Sequence, residues 1–378
     1  MVQQSKREYL EAVRARYAKA GKAYKTKILD EFCEVCGHHR KHAIRLLRQR
    51  PKKVRRKPGR PPRYGAAVRE VLRVIWLAAN RPCAKRLKAA LPVWLPPYER
   101  EHTPLAEDVR GQLQRISSRT MDRLLVAVRQ RYGVRGRCGT RPGTLLRHQI
   151  PIKTEHADVT KPGVLEADTV AHCGTSLDGS FVWSLTLTDI FSTWTCNRAV
   201  WNKGYEGIKQ AIGEVEEALP FRLTGFHSDN GGEFLNHHLI RYFQERDLPV
   251  AYSRSRPYHK NDTAHVEQKN YTHVRLLLGY ARIEDPHLLP AINSLYRLWE
   301  AFNNFFSPSL KLVEKIKIGS RYCKRYDTPQ TPYQRLMAST EVDQLTKTVL
   351  TEQFVNLNPF VLRRQIDYHQ NQILQQLR

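Results

Sequence analysis

Three acidic residues stand in settings where a carboxylate can do chemistry. Asp168 lies inside Val164-Leu-Glu-Ala-Asp168-Thr-Val170, Asp229 in Gly225-Phe-His-Ser-Asp229-Asn-Gly-Gly-Glu-Phe234, and Glu267 in Asn261-Asp-Thr-Ala-His-Val-Glu267-Gln-Lys-Asn270. Each falls on or just after a regular element, so a fold can bring them together. Three carboxylates that converge repel one another unless a divalent cation lies between them. Hard cations with oxygen ligands, Mg²⁺ or Mn²⁺, fit that donor set. Two such ions activate a nucleophile and stabilise a leaving oxygen, which is the chemistry of phosphoryl transfer. With 36 acids in the chain, spacing alone selects nothing. Context does: a strand interior, an Asp-Asn-Gly turn at a strand end, and a helix after a basic loop.

The elements that must position these acids are legible as alternation and periodicity. Val164 to Ala171 alternates, so Glu166 and Asp168 share a face. Phe181 to Asp189 reads as its antiparallel partner, across a turn at Asp178-Gly179, and Thr193 to Trp201 as a third strand. A helix is expected over Tyr205 to Leu219, a fourth strand over Phe221 to Ser228, and a fifth over Pro249 to Ser253. Arg254, Arg256 and Lys260 then lead into the Glu267 helix, one stripe of which carries Lys260, Thr263, Glu267, Asn270, Tyr271 and Val274. Asp189 closes the antiparallel strand too far along to share an ion with Asp168. Glu166 is a plausible group behind the ligands, and Glu233 reads as a helix-start acid.

Ser228-Asp-Asn-Gly-Gly-Glu-Phe234, Arg254-Ser-Arg-Pro-Tyr258, Lys260-Asn-Asp262 and Val266-Glu-Gln-Lys-Asn270 together resemble the core of retroviral integrases and bacterial insertion-sequence transposases, the DDE group. The resemblance extends weakly over most of the chain. It implies a ribonuclease-H-like mixed five-stranded sheet with flanking helices. In it Asp168, on the central first strand, neighbours Asp229, and Asp168, Asp229 and Glu267 hold two Mg²⁺ (or Mn²⁺) ions per active site. It implies at least a dimer on DNA. Some related transposases place a Lys or Arg seven residues after the Glu. Here that position is Val274, and Arg275 follows it.

The whole chain fits a nucleic-acid partner. It has 378 residues, 63 basic against 36 acidic, and a net charge of +27. Such a charge speaks of partners, with DNA ahead of an acidic membrane. No run of ~18 apolar residues offers a membrane span, and the N-terminus lacks a signal-peptide core. Seven scattered cysteines suit reduced thiols. The expected location is the bacterial cytoplasm, on the nucleoid.

Six segments follow. Residues 1-50 read as an all-α helix-turn-helix: a stripe of Ile28, Phe32 and Cys36, a break at Gly37, then a basic helix with Arg40, Lys41 and Arg45 outward. An ordinary helical hairpin is the plainer reading. Cys33 and Cys36 with His38 lack a second zinc-ligand pair and read as core. Residues 51-63 form an arm; from Arg40 to Arg63 there are twelve Lys or Arg and no acid. Arg55, Arg56, Lys57, Arg60 and Arg63, among prolines, resemble an AT-hook for the minor groove, or a linker that touches phosphates only. Residues 64-132 form a second helical DNA-binding unit, or a plain bundle. In it a helix from Cys83 to Ala90 is stopped by Pro92, Pro96 and Pro97, and a Ser117-capped helix sets Arg119 and Arg123 outward. Residues 133-155 are a cationic linker, 156-303 the catalytic core, and 304-378 a basic hairpin and a terminal amphipathic helix over Leu362 to Leu377. That helix docks on its own core or on another protomer.

The expectation is a DNA transposase that binds element ends, frees a 3′-OH by metal-dependent hydrolysis, and joins it to target DNA. A nuclease of the same fold without strand transfer and a DNA-binding repressor with an inactive core are the alternatives. Asn270 and Arg275 complete the expected DNA contacts, with Arg254, Arg256 and Lys260.

Overall fold

The computed structural model describes residues 3–49, 63–132, 159–228, 234, 237–254, 266, 269–318 and 321–377. The chain divides into two compact units, residues 1–63 and 64–378. The first holds α1 (Gln3–Lys19), α2 (Lys22–Cys36) and α3 (Arg40–Arg48). Ile28, Leu29, Phe32 and Cys36 recur at helical spacing on α2 and close on Val13 and Tyr17 of α1 and on Ala43 and Leu47 of α3. Gly37 ends α2 in the left-handed conformation, φ 67°, which glycine adopts without a Cβ penalty. His39 caps α3 by accepting from the Lys41 amide, and Arg14 donates to the Leu46 carbonyl at 2.9 Å. Cys36 is spent on the core, as its place on the stripe requires.

The second unit opens with α4 (Ala66–Ala78), α5 (Ala84–Glu101), α6 (Glu107–Arg115) and α7 (Ser118–Arg131). The helix expected to stop at Ala90 runs on through Pro92, Pro96 and Pro97 to Glu101. Each proline removes one amide donor, but Leu87, Leu91, Trp94, Leu95 and Tyr98 line one buried face of the continued helix. Packing outweighs the local cost. Trp94 donates its indole N–H to the Phe306 carbonyl at 2.9 Å and meets Phe302, Phe306 and Phe360 edge-on. These helices share one continuous core with the sheet, so the region is not detached from the segment that follows it.

The sheet comprises β1 (Val164–Ala171), β2 (Val182–Asp189), β3 (Thr195–Trp201), β4 (Gly225–Ser228) and β5 (Ala251–Arg254), in the order β3-β2-β1-β4-β5. The first three form an antiparallel meander; β4 and β5 run parallel to β1. Helix α8 (Tyr205–Ala218) connects β3 to β4, and α9 (His237–Gln244) connects β4 to β5. β4 begins at Gly225 rather than at Phe221, because its partner β1 begins at Val164. Gly163, at φ 121°, turns the chain just before that point, and a Cβ there would sit 2.6 Å from the Arg222 carbonyl oxygen.

Helix α10 (Leu289–Phe306) closes the β3 edge. An open edge presents unpaired backbone groups to any passing strand. Here one stripe of α10 side chains supplies the missing partners. Asn293 bonds both backbone groups of Ala199, at 2.7 and 3.1 Å. Glu300 accepts from the Asn197 amide at 2.6 Å and pairs with buried Arg198 at 2.7 Å. Asn304 bonds both backbone groups of Thr195 at 3.0 Å. Asn304→Ala leaves a buried donor and acceptor unmade, and the expected cost is about 3 kcal/mol of unfolding free energy. A loss under about 1 kcal/mol in urea titration would show that this pairing does not hold the edge.

A basic hairpin follows, β6 (Leu312–Ile318) against β7 (Arg321–Tyr326). Then come α11 (Pro332–Ala338), α12 (Gln344–Asn356) and α13 (Pro359–Gln376). Helix α13 buries Phe360, Leu362, Ile366 and Ile373 in the unit's own core. Most of its apolar stripe therefore packs within its own unit.

Candidate active site

β1 is central in the sheet, and strand geometry sends alternate side chains to opposite faces. Leu165 and Ala167 face the apolar core. Glu166 and Asp168 share the other face; Glu166 is fully buried and Asp168 partly so. The Asp168 Oδ1 accepts the Thr169 amide at 2.8 Å, and its Oδ2 accepts Asn270 Nδ2 at 2.6 Å. Glu166 Oε2 accepts the Val266 amide at 3.1 Å.

The neighbouring strand brings in the second acid's segment. In the parallel register His227 lies beside Glu166 and Ser228 beside Ala167. The Ser228 hydroxyl meets the Tyr252 hydroxyl at 3.1 Å, and His227 Nδ1 meets Ser253 Oγ at 3.0 Å. Asp229, the next residue after Ser228, and Glu267, the next after Val266, lie outside the described residues, as does Glu233. Among the described residues no cluster of His, Cys, Asp and Glu is set to hold a metal. Of the described residues adjoining positions 229 and 267, Ser228 pairs with Ala167, next to Asp168, and Val266 bonds Glu166, two residues before Asp168.

Beyond Val266 the chain makes a π-helical turn, Asn270–Arg275, a form frequent at functional sites. The wider turn splits the expected stripe. Asn270 faces Asp168 and Val274 is buried, whereas Tyr271 is 39% exposed. Arg275 is half-buried; it donates to the Ala171 carbonyl at the end of β1, at 3.0 Å, and lies over the Tyr280 ring. Burial, then the nearby Arg86 and Arg335, pushes Lys269 down to about 7.

Asp189 is structural. It stands opposite Leu165, three residues from Asp168 along the ladder, or roughly 10 Å. One oxygen takes the Gly163 amide at 2.9 Å, the other the Ser192 amide and hydroxyl at 2.6 Å. Burial pushes its carboxyl up.

The expected DNA contacts divide. Lys41 and Arg45 on α3 and Arg119 and Arg123 on α7 are exposed, and so is Arg63. Arg40 is exposed but pairs with Asp30. Arg55, Arg56, Lys57, Arg60, Arg256 and Lys260 lie outside the described residues, and Arg254 is described only as backbone in β5. Sequence reasoning set Asn270 on the stripe of Glu267; it did not foresee the Asn270–Asp168 contact or the Val266–Glu166 bond. The signal available was the same-face pair Glu166 and Asp168.

A meander of three antiparallel strands followed by two parallel crossover strands is the ribonuclease-H-like, integrase-core arrangement, and it defines the class of this core. The chain is 40% identical over 339 residues to the uncharacterized protein y4rM of Sinorhizobium fredii (strain NBRC 101917 / NGR234), covering 87% of this chain and 94% of that one; it belongs to the same family. No family model matches. The catalytic core domain of BIV integrase aligns with 45% of this chain and 91% of its own, at 14% identity and a TM-score of 0.28.

Proposed function

We propose that this chain is a DDE-type DNA transposase. One observation carries the reading: Asp168 sits on the central strand, and the residues directly before positions 229 and 267 are fastened to that same strand, Ser228 by the parallel register and Val266 by Glu166. An all-oxygen set from Asp168, Asp229 and Glu267 suits two Mg²⁺ or Mn²⁺ ions, and the carboxylate face of β1 fits such ions. When bound, they supply Lewis-acid stabilisation of charge on the attacked phosphate. Asp168 offers Oδ2 on the Asn270 side, and Asn270 fixes its rotamer. A water oxygen attacks one phosphodiester, leaving a 3′-OH and a 5′-phosphate. The 3′-OH then attacks a target phosphodiester. DNA, as element ends and target, is the partner, and joining two ends calls for at least two protomers. No helix among the described residues is long and apolar enough to cross a membrane.

The test is Mg²⁺-dependent cleavage and joining of DNA flanking the gene, where inverted repeats mark the element ends. Joined products support the transposase. Nicks without joining leave a nuclease of the same fold, and binding without cutting leaves a repressor.

The first unit carries its own core, so residues 1–63 are the fragment to test for end binding. Cutting near 135 would instead strip α4 to α7 from their partners in the second unit. The fragment is expected to bind DNA alone and to lose about 10³-fold in affinity between 50 and 200 mM salt, as for roughly six phosphate contacts. Arg60→Ala should weaken binding to A·T-rich more than to G·C-rich sites. Equal losses would reduce the arm to a phosphate contact.

A further inference from the structure

We propose that Glu166 is the positioning residue of this site. It seats the segment that carries Glu267 against β1, and Asn270 completes the seat from the other side. The proposal rests on the transposase reading for the role of Glu267, though not for the contact itself.

The geometry brackets position 267. Val266, one residue before it, gives its amide to Glu166, and Asn270, three residues after it, gives its side-chain amide to Asp168. The two acceptors, Glu166 and Asp168, stand two residues apart on one face of β1, about 6.6 Å along the strand. A bracket at both ends fixes translation along the strand as well as rotation. A single contact would leave the segment free to pivot.

The chemistry explains why a carboxylate occupies position 166. A fully buried acid is costly unless it is hydrogen-bonded. A backbone amide bonded to a carboxylate is charge-assisted, stronger than a bond to a neutral acceptor. Partners behind metal ligands typically govern affinity by 10–100-fold. The competing role, Glu166 as a ligand itself, requires its charge rather than its acceptor oxygen. Gln keeps the acceptor and removes the charge, so it separates the two.

The experiment uses the full chain, with Mn²⁺ alone as the probe, titrated by electron paramagnetic resonance. Hydrogen exchange is followed at the Val266 amide. Wild type should show a protected Val266 amide. Glu166→Ala should speed that exchange at least tenfold and weaken Mn²⁺ binding about 10–100-fold. Glu166→Gln should stay within about threefold of wild type in Mn²⁺ affinity. A Gln variant as weak as Asp168→Asn would make Glu166 a ligand and overturn the proposal. So would an Ala variant with unchanged exchange and affinity. If the chain cuts DNA while Val266 and Mn²⁺ ignore Glu166, the seat fails and the transposase stands. If both respond to Glu166 but no DNA is cut, the transposase reading fails and the seat stands.

Discussion

Asp168→Asn, Asp229→Asn and Glu267→Gln should each lose at least about 10³-fold in Mg²⁺-dependent nicking and joining, with DNA affinity within about twofold of wild type. The size of the loss follows from what is removed. Charge stabilisation at the reacting group is commonly the largest single contribution to catalysis, and on the proposed mechanism it would depend on metal ions held by these anionic oxygens. The amide isosteres keep volume and remove the anion. At position 168 the remaining amide oxygen can still accept the Thr169 N–H, while the Asn270 bond to Oδ2 is given up. Glu233→Gln should retain activity. The assay is cleavage of a labelled element end by each purified variant, with binding measured in parallel. Near-normal cleavage by Glu267→Gln beside a dead Glu233→Gln would move the third ligand to Glu233.

What could be read from sequence was what strand and helix periodicity encode locally. β1, β2 and β3 follow from alternation, and the pairing of Glu166 with Asp168 on one face follows from β1 alone. Misjudged features depend on partners far along the chain. The start of β4 is set by where β1 begins. The persistence of α5 through three prolines is set by the aromatic cluster at Trp94, whose partners lie more than 200 residues away. Asn293, Glu300 and Asn304 look like polar interruptions of an apolar helix until β3 is known to be an edge. The π-helical turn after Val266 has no signature in residue types; in it Asn270 faces Asp168 while Tyr271 stays exposed.

The folded chain should be acid-labile through His172. This residue follows β1 directly and is fully buried. Its Nε2 bonds Ser184 Oγ at 2.8 Å, and Ser184 Oγ meets the Tyr296 hydroxyl of α10 at 2.5 Å. Its backbone joins Val182 and Ile283, both at 3.0 Å. Burial, and secondarily the Arg275 cation, pushes the imidazole from 6.5 down to about 3. The folded value lies below the unfolded one, so the stabilisation is complete above about pH 6.5 and is lost as pH falls toward 3. A shift of that size corresponds to about 5 kcal/mol over the whole window, of which about 2 kcal/mol should be gone by pH 5. His273, also buried and pushed down, acts in the same direction, so wild type alone cannot isolate His172. His172→Gln supplies the comparison: it offers Ser184 a polar partner that does not titrate. Wild type should be the more stable at pH 7.5, and its advantage in urea unfolding free energy should shrink by about 2 kcal/mol at pH 5. Parallel profiles for the two proteins would mean that water reaches the imidazole and that the Ser184–Tyr296 chain does not hold it neutral. Because Arg275 ties the end of β1 to the turn bearing Asn270, charging His172 should also loosen the site. Nicking should therefore decline over the same pH range in wild type and less steeply in His172→Gln.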